Sequence, residues 1–214
     1  FFSKDPDKKM YPASLTKIMT VLLAIEAVER GEADLSAQIT ATDDCLADMD
    51  EEGSTANIVS GETMSLEELL YCALVESANE ACNIIAKYIA GSIPDFVQRM
   101  NDRAAELGCT GTHFANTHGL PNDDHYTTAR DMYLITQEAV TLDLFMEICN
   151  TVNHTVPATN MSGPRELSNT NGLINSNSPY YNNCYYESAR GVKTGHTSAA
   201  GYCLVFSAEK DGIH

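Results

Sequence analysis

The chain has little positive charge and lacks any long apolar run. Of its 214 residues, 13 are Lys or Arg and 30 are Asp or Glu, which gives a formal net charge of −17. This balance argues against binding to nucleic acid or anionic lipid, because both require a basic face. The longest apolar run, residues 21–25, falls far short of the roughly 20 residues that cross a bilayer. We therefore expect neither a membrane span nor a signal peptide in this sequence.

The seven cysteines lack the pattern of a metal site. They include no CxxC pair, and their spacings to histidine fit no zinc ligand set. Most stand in apolar stretches and their number is odd, so we expect mainly buried thiols and no metal or other cofactor. With 43% hydrophobic and 20% charged residues, the composition excludes a disordered or collagen-like chain.

Helical patterns fill the middle of the chain, and strand patterns stand at its ends. Apolar spacing, glycines and capping residues, among them Ser65 and Thr128, predict helices over 14–30, 65–75, 80–90, 95–107, 128–140 and 142–149. Residues 1–11 are typical of the end of a strand followed by a polar turn at 4–7, and strand patterns occupy 191–197 and 201–207. This order predicts an α+β fold in which the terminal strands pair and the helices form a lobe. We expect one domain over 1–214, with its sheet at about 1–13 and 188–214, its helical lobe at about 14–150 and a polar connection at about 150–188.

The first candidate motif joins Ser14 to Lys17 at the start of an apolar helix. Residues at this spacing share a helix face, so the amine can reach the hydroxyl. A lysine accepts a serine's proton only when it is neutral, which requires burial or a nearby cation to lower its pKa. By itself this SxxK pattern is weak, since residues 207–210 also match it.

Two further motifs add polar groups. Ser77 and Asn79 lie between two predicted helices, where a kink would direct a hydroxyl and an amide at one spot; simple capping of the next helix is the alternative for Asn79. Lys193 and Thr194 stand beside Gly195 on a predicted strand, where a positive charge and a hydroxyl suit a carboxylate. A glycine within a strand often marks the close approach of a ligand or of another backbone. An exposed strand edge is the alternative for this motif.

The order of the three motifs resembles that of the serine acyltransferases that recognise penicillin, which include the β-lactamases. The sequence around the motifs resembles the D-alanyl-D-alanine carboxypeptidases, which are the low-molecular-mass penicillin-binding proteins, over nearly the whole chain. The matching segments are residues 11–20 (YPASLTKIMT), 100–108, 116–120 (NTHGL), 125–131 (HYTTARD) and 191–197 (GVKTGHT). The resemblance implies a β-lactamase/DD-peptidase-like fold, truncated at both ends. Ala78 departs from the family pattern, in which many relatives have glycine.

The resemblance implies a serine DD-carboxypeptidase that removes the terminal D-alanine from peptidoglycan stem pentapeptides through an acyl-enzyme on Ser14. Lys17 would be the base, Ser77 would relay the proton to the leaving D-alanine, and Asn79 would bind the substrate carbonyl and help to hold Lys17. Lys193 would keep Lys17 neutral by repulsion and would attract the terminal carboxylate.

The same resemblance implies the binding groups and partners. The substrate would be bound by Lys193, Thr194, Gly195 and His196, with Thr194 bonding the terminal carboxylate. The backbone N–H groups of Ser14 and His196 would form the oxyanion hole. The partners would be stem peptides ending in D-Ala-D-Ala and β-lactams that acylate Ser14, with a membrane reached only through C-terminal parts absent from this chain. The protein would be exported to the cell envelope, its signal peptide and any anchor lying outside this sequence.

Several interpretations stay open. A DD-endopeptidase that cuts peptidoglycan cross-links would carry the same motifs. A class A β-lactamase needs a glutamate for deacylation, and residues 166–169 (ELSN) suggest one, but they lie far past Ser77 with the wrong spacing. A chain without catalytic activity is the third alternative. We expect His118 and His125 to structure their loop, and the tyrosines at 180, 181, 185 and 186 to line a peptide groove or simply to pack.

Overall fold

The protein is described by a computed structural model that covers residues 3–49 and 53–212. Its α-helices in these ranges are α1 (Thr16–Glu29), α2 (Asp43–Leu46), α3 (Leu66–Tyr71), α4 (Asn79–Ala90), α5 (Ile93–Glu106), α6 (Ala129–Ala139) and α7 (Asp143–Asn150). Three antiparallel pairs join β1 (Gln38–Thr40) to β2 (Thr63–Ser65), β3 (Asn153–Val156) to β4 (Arg165–Ser168), and β5 (Ala189–Thr197) to β6 (Gly201–Ala208). This mixture confirms the predicted α+β class.

The helix α1 lies at the centre of the helical lobe. Almost all of its side chains are buried, among them Ile18, Met19 and Leu22. A helix that is apolar on all sides requires neighbours all round, and α1 packs against α4, α6 and the turn that follows α3. The 3₁₀ turn Ala13–Leu15 in front of α1 contacts β5 and β6. Ser14 therefore lies where the lobe meets the sheet.

Local capping signals place the helix starts. The hydroxyl of Ser65 accepts the N–H of Glu68 at 3.2 Å in front of α3, and that of Thr128 accepts the N–H of Asp131 at 3.1 Å in front of α6. Both caps were expected from the residue spacing alone, because a capping side chain bonds within its own first turn. None of the helices in the described ranges is both long and apolar enough to cross a membrane.

Two parts of the sheet prediction require correction. Residues 3–13, the described part of the predicted 1–13 contribution, contain no strand, and only Met10 forms a bridge, with Thr127. The segment turns at residues 4–7, as predicted, and Pro6 has no N–H for a sheet ladder. Residues 1 and 2 of the predicted strand end lie outside the described residues. The hairpin of β3 and β4 was not predicted within the polar connection. Each of its strands has only four residues, half of them exposed, so the alternation of polar and apolar residues is too short to detect.

All seven cysteines are free thiols. Five are buried, Cys203 is half-buried and Cys184 is exposed, which agrees with the expectation of mainly buried thiols.

Candidate active site

The Ser14 hydroxyl and the Lys17 amine meet at the N-terminal end of α1. Ser14 belongs to the 3₁₀ turn that runs directly into the helix, so both side chains lie on one face. The Nζ atom of Lys17 is 2.9 Å from the Oγ atom of Ser14. The Lys17 side chain is fully buried, whereas Ser14 lines an open cavity. A hydroxyl that faces the cavity is thus backed by an amine that is shielded from water.

Two further contacts orient the Lys17 amine. Nζ donates to Oδ1 of Asn79 at 2.7 Å and to the backbone oxygen of His118 at 2.8 Å. Neither oxygen can donate a proton, so both take hydrogens from the amine. A neutral amine has two hydrogens and one lone pair. With its hydrogens on these acceptors, its lone pair faces Ser14, which is the geometry of a general base.

Burial sets the electrostatics of the two lysines. Burial lowers the pKa of Lys17 to about 8. The negative charge of Glu80 acts in the opposite direction and raises that pKa. Burial and, after it, the charge of Lys17 hold the pKa of Lys193 well below its ordinary value. Burial, one of the two causes that the residues allowed, is therefore the largest cause of the low Lys17 pKa. The repulsion from Lys193 that the resemblance implied is not among the causes of this shift.

A break between two helices brings Asn79 to the site. After α3 the chain forms a π-helical turn over Cys72–Glu76, and Ser77 then adopts a left-handed conformation with φ 68. The α4 N-cap position is Ala78, which supplies no side-chain cap, so simple capping does not explain Asn79. Within the described ranges no hydrogen bond joins the buried Ser77 hydroxyl to Lys17 or to another side chain, and its relay role stays a prediction.

The strand β5 passes directly beside the Ser14 turn at Gly195. A Cβ atom built on Gly195 would lie 3.0 Å from the Ser14 nitrogen and 3.2 Å from the Pro12 oxygen. A side chain there would push the strand and the turn apart. The glycine thus marks the close approach of another backbone, one of the two explanations that the sequence allowed.

The other predicted residues of β5 take different positions. Lys193 is buried, and its Nζ donates to the Thr194 oxygen at 3.0 Å. The Thr194 hydroxyl is 2.5 Å from that of Thr170. His196 is exposed, and its ring lies 4.5 Å from the ring of Tyr202. The binding roles expected for these residues stay predictions.

A cavity of about 240 Å³ opens in front of Ser14. Of the predicted site residues, Ser14, Asn79 and His196 line it, while Lys17 lies behind Ser14. Thr194 and Gly195 line an adjoining groove instead. The remaining wall comes from Gly53, Ser54, His118, Gly119, Leu120, Pro121, Tyr180, Thr197 and Ser198. Tyr180 lines both the cavity and the groove.

Both loop histidines have structural contacts, as expected. His125 Nδ1 accepts the N–H of Ala115 at 2.9 Å, and its Nε2 is 2.7 Å from the Thr16 hydroxyl. Burial lowers the pKa of His125 to about 3, so its ring is neutral at physiological pH. His118 contributes more than the sequence indicated, because its carbonyl is a partner of Lys17. A backbone acceptor has no side-chain signature, so this role could not be read from residue types.

Glu80 supports the cavity wall, a role that was not predicted from the sequence. Its Oε1 atom accepts the Thr55 hydroxyl at 2.7 Å and the N–H of Ala56 at 2.8 Å. The backbone oxygen of Ser54, the residue before Thr55, accepts the N–H of Asn79 at 2.9 Å. Glu80 directly follows Asn79, but no spacing rule indicates the segment that its carboxylate binds.

Glu166, the residue considered for a class A β-lactamase, lies outside the cavity. It stands on β4, where its carboxylate accepts the Thr155 hydroxyl at 2.8 Å. It is therefore placed to stabilise the β3–β4 hairpin and not to activate a water beside Ser14.

Comparison with known proteins places the chain in a family. A family model described as D-alanyl-D-alanine carboxypeptidase matches residues 1–214. The chain is 35% identical over 212 residues to D-alanyl-D-alanine carboxypeptidase DacF of Bacillus subtilis (strain 168), covering 99% of this chain and 51% of that protein. It is 34% identical to D-alanyl-D-alanine carboxypeptidase DacA of Escherichia coli (strain K12), covering 96% of this chain and 48% of that protein.

Solved structures show the same relationship. The Streptomyces K15 DD-transpeptidase superposes with a TM-score of 0.84 at 28% identity, covering 99% of this chain and 80% of that one. Penicillin binding protein 5 from Haemophilus influenzae superposes with a TM-score of 0.85 at 30% identity, covering 99% of this chain and 58% of that one. The chain therefore belongs to the D-alanyl-D-alanine carboxypeptidase family and has the β-lactamase-like fold of DD-peptidases. It spans about half the length of the curated relatives it matches.

Proposed function

We propose that this chain carries the acyl-transfer site of a serine DD-carboxypeptidase that removes the terminal D-alanine from peptidoglycan stem peptides. The arrangement of Lys17 supports this proposal most directly. Its Nζ atom has Asn79 and the His118 carbonyl as acceptors and the Ser14 hydroxyl as its third neighbour. Family membership supplies the substrate class, a peptide that ends in D-Ala-D-Ala.

Acylation follows from this geometry. Neutral Lys17 takes the proton of the Ser14 hydroxyl, and Oγ attacks the carbonyl carbon of the penultimate D-alanine. The negative charge that forms on the carbonyl oxygen is held by the N–H groups of Ser14 and His196, which β5 brings beside the Ser14 turn. The C–N bond then breaks. The proton carried by Lys17 passes through Ser77 to the nitrogen of the departing D-alanine.

Release of the product reverses these proton transfers. Water attacks the ester carbon, its proton passes to Lys17, and the Ser14 oxygen leaves and recovers a proton. Lys193 and Thr194 attract the terminal carboxylate of the substrate along β5. A β-lactam follows the same first step, but its ring opens without losing a leaving group, so the acyl-enzyme persists. The enzyme acts in the cell envelope, where peptidoglycan lies.

A second outcome of the same acyl-enzyme deserves a test. One of the solved structures similar to this chain is that of the Streptomyces K15 DD-transpeptidase. If an amine replaces water as the attacking group, transfer takes the place of hydrolysis with unchanged chemistry at Ser14. A DD-endopeptidase differs only in the bond that is cut. Peptide substrates with and without an added amine separate these outcomes.

Intact-mass measurement after incubation with benzylpenicillin tests the proposal. We expect the parent chain to gain one drug mass and Ser14→Ala to gain none. Ser207→Ala is the matched control, because Ser207 begins the other SxxK match but bonds the Arg190 carbonyl on β5. It should acylate like the parent. An unmodified parent with intact drug would contradict the proposal, and rapid drug loss without an adduct would indicate a β-lactamase.

A further inference from the structure

Asp48, just beyond α2, contacts two side chains that face the active-site loop. Its Oδ2 atom is 3.2 Å from Nε2 of His118, and its Oδ1 atom accepts Nδ2 of Asn83 at 2.8 Å. Asp48 is half exposed, whereas the His118 and Asn83 side chains are buried. The carboxylate therefore joins two buried groups from the edge of the site.

Each of these groups holds one residue of the segment that touches Lys17. Asn83 accepts the Thr117 hydroxyl at 2.6 Å through Oδ1, so its amide orientation is set. His118 places its own carbonyl oxygen 2.8 Å from Nζ of Lys17. Asp48 thus contacts both supports of the Thr117–His118 segment.

The hydrogen bonds also determine the tautomer of His118. The Leu120 N–H donates to Nδ1 of His118 at 3.2 Å, so this nitrogen carries no proton. The proton of the neutral ring is then on Nε2, which faces Asp48. Asp48 accepts two N–H groups at once, one on each oxygen, from His118 and Asn83. An asparagine has the same shape but a single acceptor oxygen, so it can satisfy only one of them.

We propose that Asp48 is a positioning residue for acyl transfer. By holding the His118 ring and the Asn83 amide, it keeps the His118 carbonyl on the Lys17 amine. That carbonyl takes one hydrogen of neutral Lys17 and so directs the lone pair at Ser14. This inference rests on the proposed function, because it assigns Asp48 an effect on the base in that reaction.

Loss of one Asp48 acceptor oxygen has a defined effect on the pH profile. Acylation needs neutral Lys17, so its rate rises with pH through about 8. A fixed carbonyl acceptor favours the ammonium form, so loosening the His118 carbonyl lowers the Lys17 pKa. The acid limb of the profile, which is the pH range over which the acylation rate rises, then moves to lower pH. The other titratable groups that face Lys17 and His118 are unchanged by the substitution: Glu80 and Cys82 on α4, Lys193 on β5, and His125 in the loop before α6.

The experiment measures the rate of acylation by a fluorescent penicillin on both sides of the Lys17 pKa. We expect Asp48→Asn to lower the plateau rate by about tenfold and to move the acid limb to lower pH. Asp48→Glu retains both oxygens and should recover part of the rate. Asp44→Asn is the matched control, because it removes an equal charge from α2, where Asp44 pairs with Lys87 on α4. It should match the parent.

The outcomes separate this inference from the proposed function. A parent that is not acylated at any pH overturns both. A parent that is acylated at the same rate and with the same profile as Asp48→Asn overturns only the role of Asp48. The plateau of Asp48→Asn can also fall only because a smaller fraction of its molecules is able to react with penicillin, with no shift of the acid limb. That result indicates a purely structural role for Asp48 and also overturns the inference.

A second measurement does not depend on activity or on a folded variant. Nitrogen NMR of the parent imidazoles should show His118 as a neutral ring protonated on Nε2. A ring protonated on Nδ1 would contradict the arrangement. If Asp48→Asn does not fold, this tautomer and the rate of Asp48→Glu decide the question.

Discussion

Gly119 lies against Ala13, the residue in front of the nucleophile. A Cβ atom on Gly119 would fall 1.8 Å from the Ala13 carbonyl oxygen, and the glycine has a φ of +100 that other residues rarely adopt. The loop that supplies the His118 carbonyl is therefore packed directly on the Ser14 turn. This contact couples the position of Ser14 to that of the His118 carbonyl, which is a hydrogen-bond partner of Lys17.

Gly119→Ala should impair acylation severely. The added methyl group must displace the turn that carries Ser14, and a misplacement of this order costs about a hundredfold in rate. The acylation rate with benzylpenicillin and the melting temperature measure the effect. Gly163→Ala is the control, because no atom lies within 4 Å of its Cβ position. A Gly119→Ala variant acylated at the parent rate would show that the turn is free to move.

Glu80→Gln should move the acid limb of the acylation profile to lower pH. The Glu80 charge raises the pKa of Lys17, so its removal makes the neutral base available at lower pH. Glutamine keeps an acceptor oxygen for the backbone at Ala56 and Ile58, so the cavity wall is retained. Rates at a series of pH values test this. Glu67→Gln, an equal charge change at an exposed position on α3, should leave the limb unchanged. A shift of the Glu80→Gln limb to higher pH would contradict the sign.

Arg165→Met should destabilise the fold by about 3 kcal/mol, because it leaves a buried carboxylate without its cation. The Arg165 guanidinium bonds both oxygens of buried Glu62, at 2.6 and 2.7 Å. Urea unfolding measures the loss. Arg130→Met removes an exposed pair with Asp7, which water and salt screen, and should cost far less. Equal losses in the two variants would mean that burial does not strengthen the Glu62 pair.

Local features were the ones that residue patterns predicted well. The caps at Ser65 and Thr128 and the contact of Ser14 with Lys17 all act within one helical turn. The short β3–β4 hairpin was missed because its strands offer too few residues for a pattern. The supports from Asp48 and Glu80 were missed because their partners lie in other segments, and no spacing rule connects them.

The sequence by itself determined that the Lys17 amine can reach the Ser14 hydroxyl, since the two residues stand one turn apart at the start of a helix. Only the tertiary structure decided whether that amine can act as a base. Burial lowers the pKa of Lys17, and two acceptors aim its lone pair at Ser14. Those acceptors, Asn79 and the His118 carbonyl, stand 62 and 101 positions from Lys17 along the chain. Folding brings them within hydrogen-bonding distance because α1, α4 and the loop after α5 pack around one buried point.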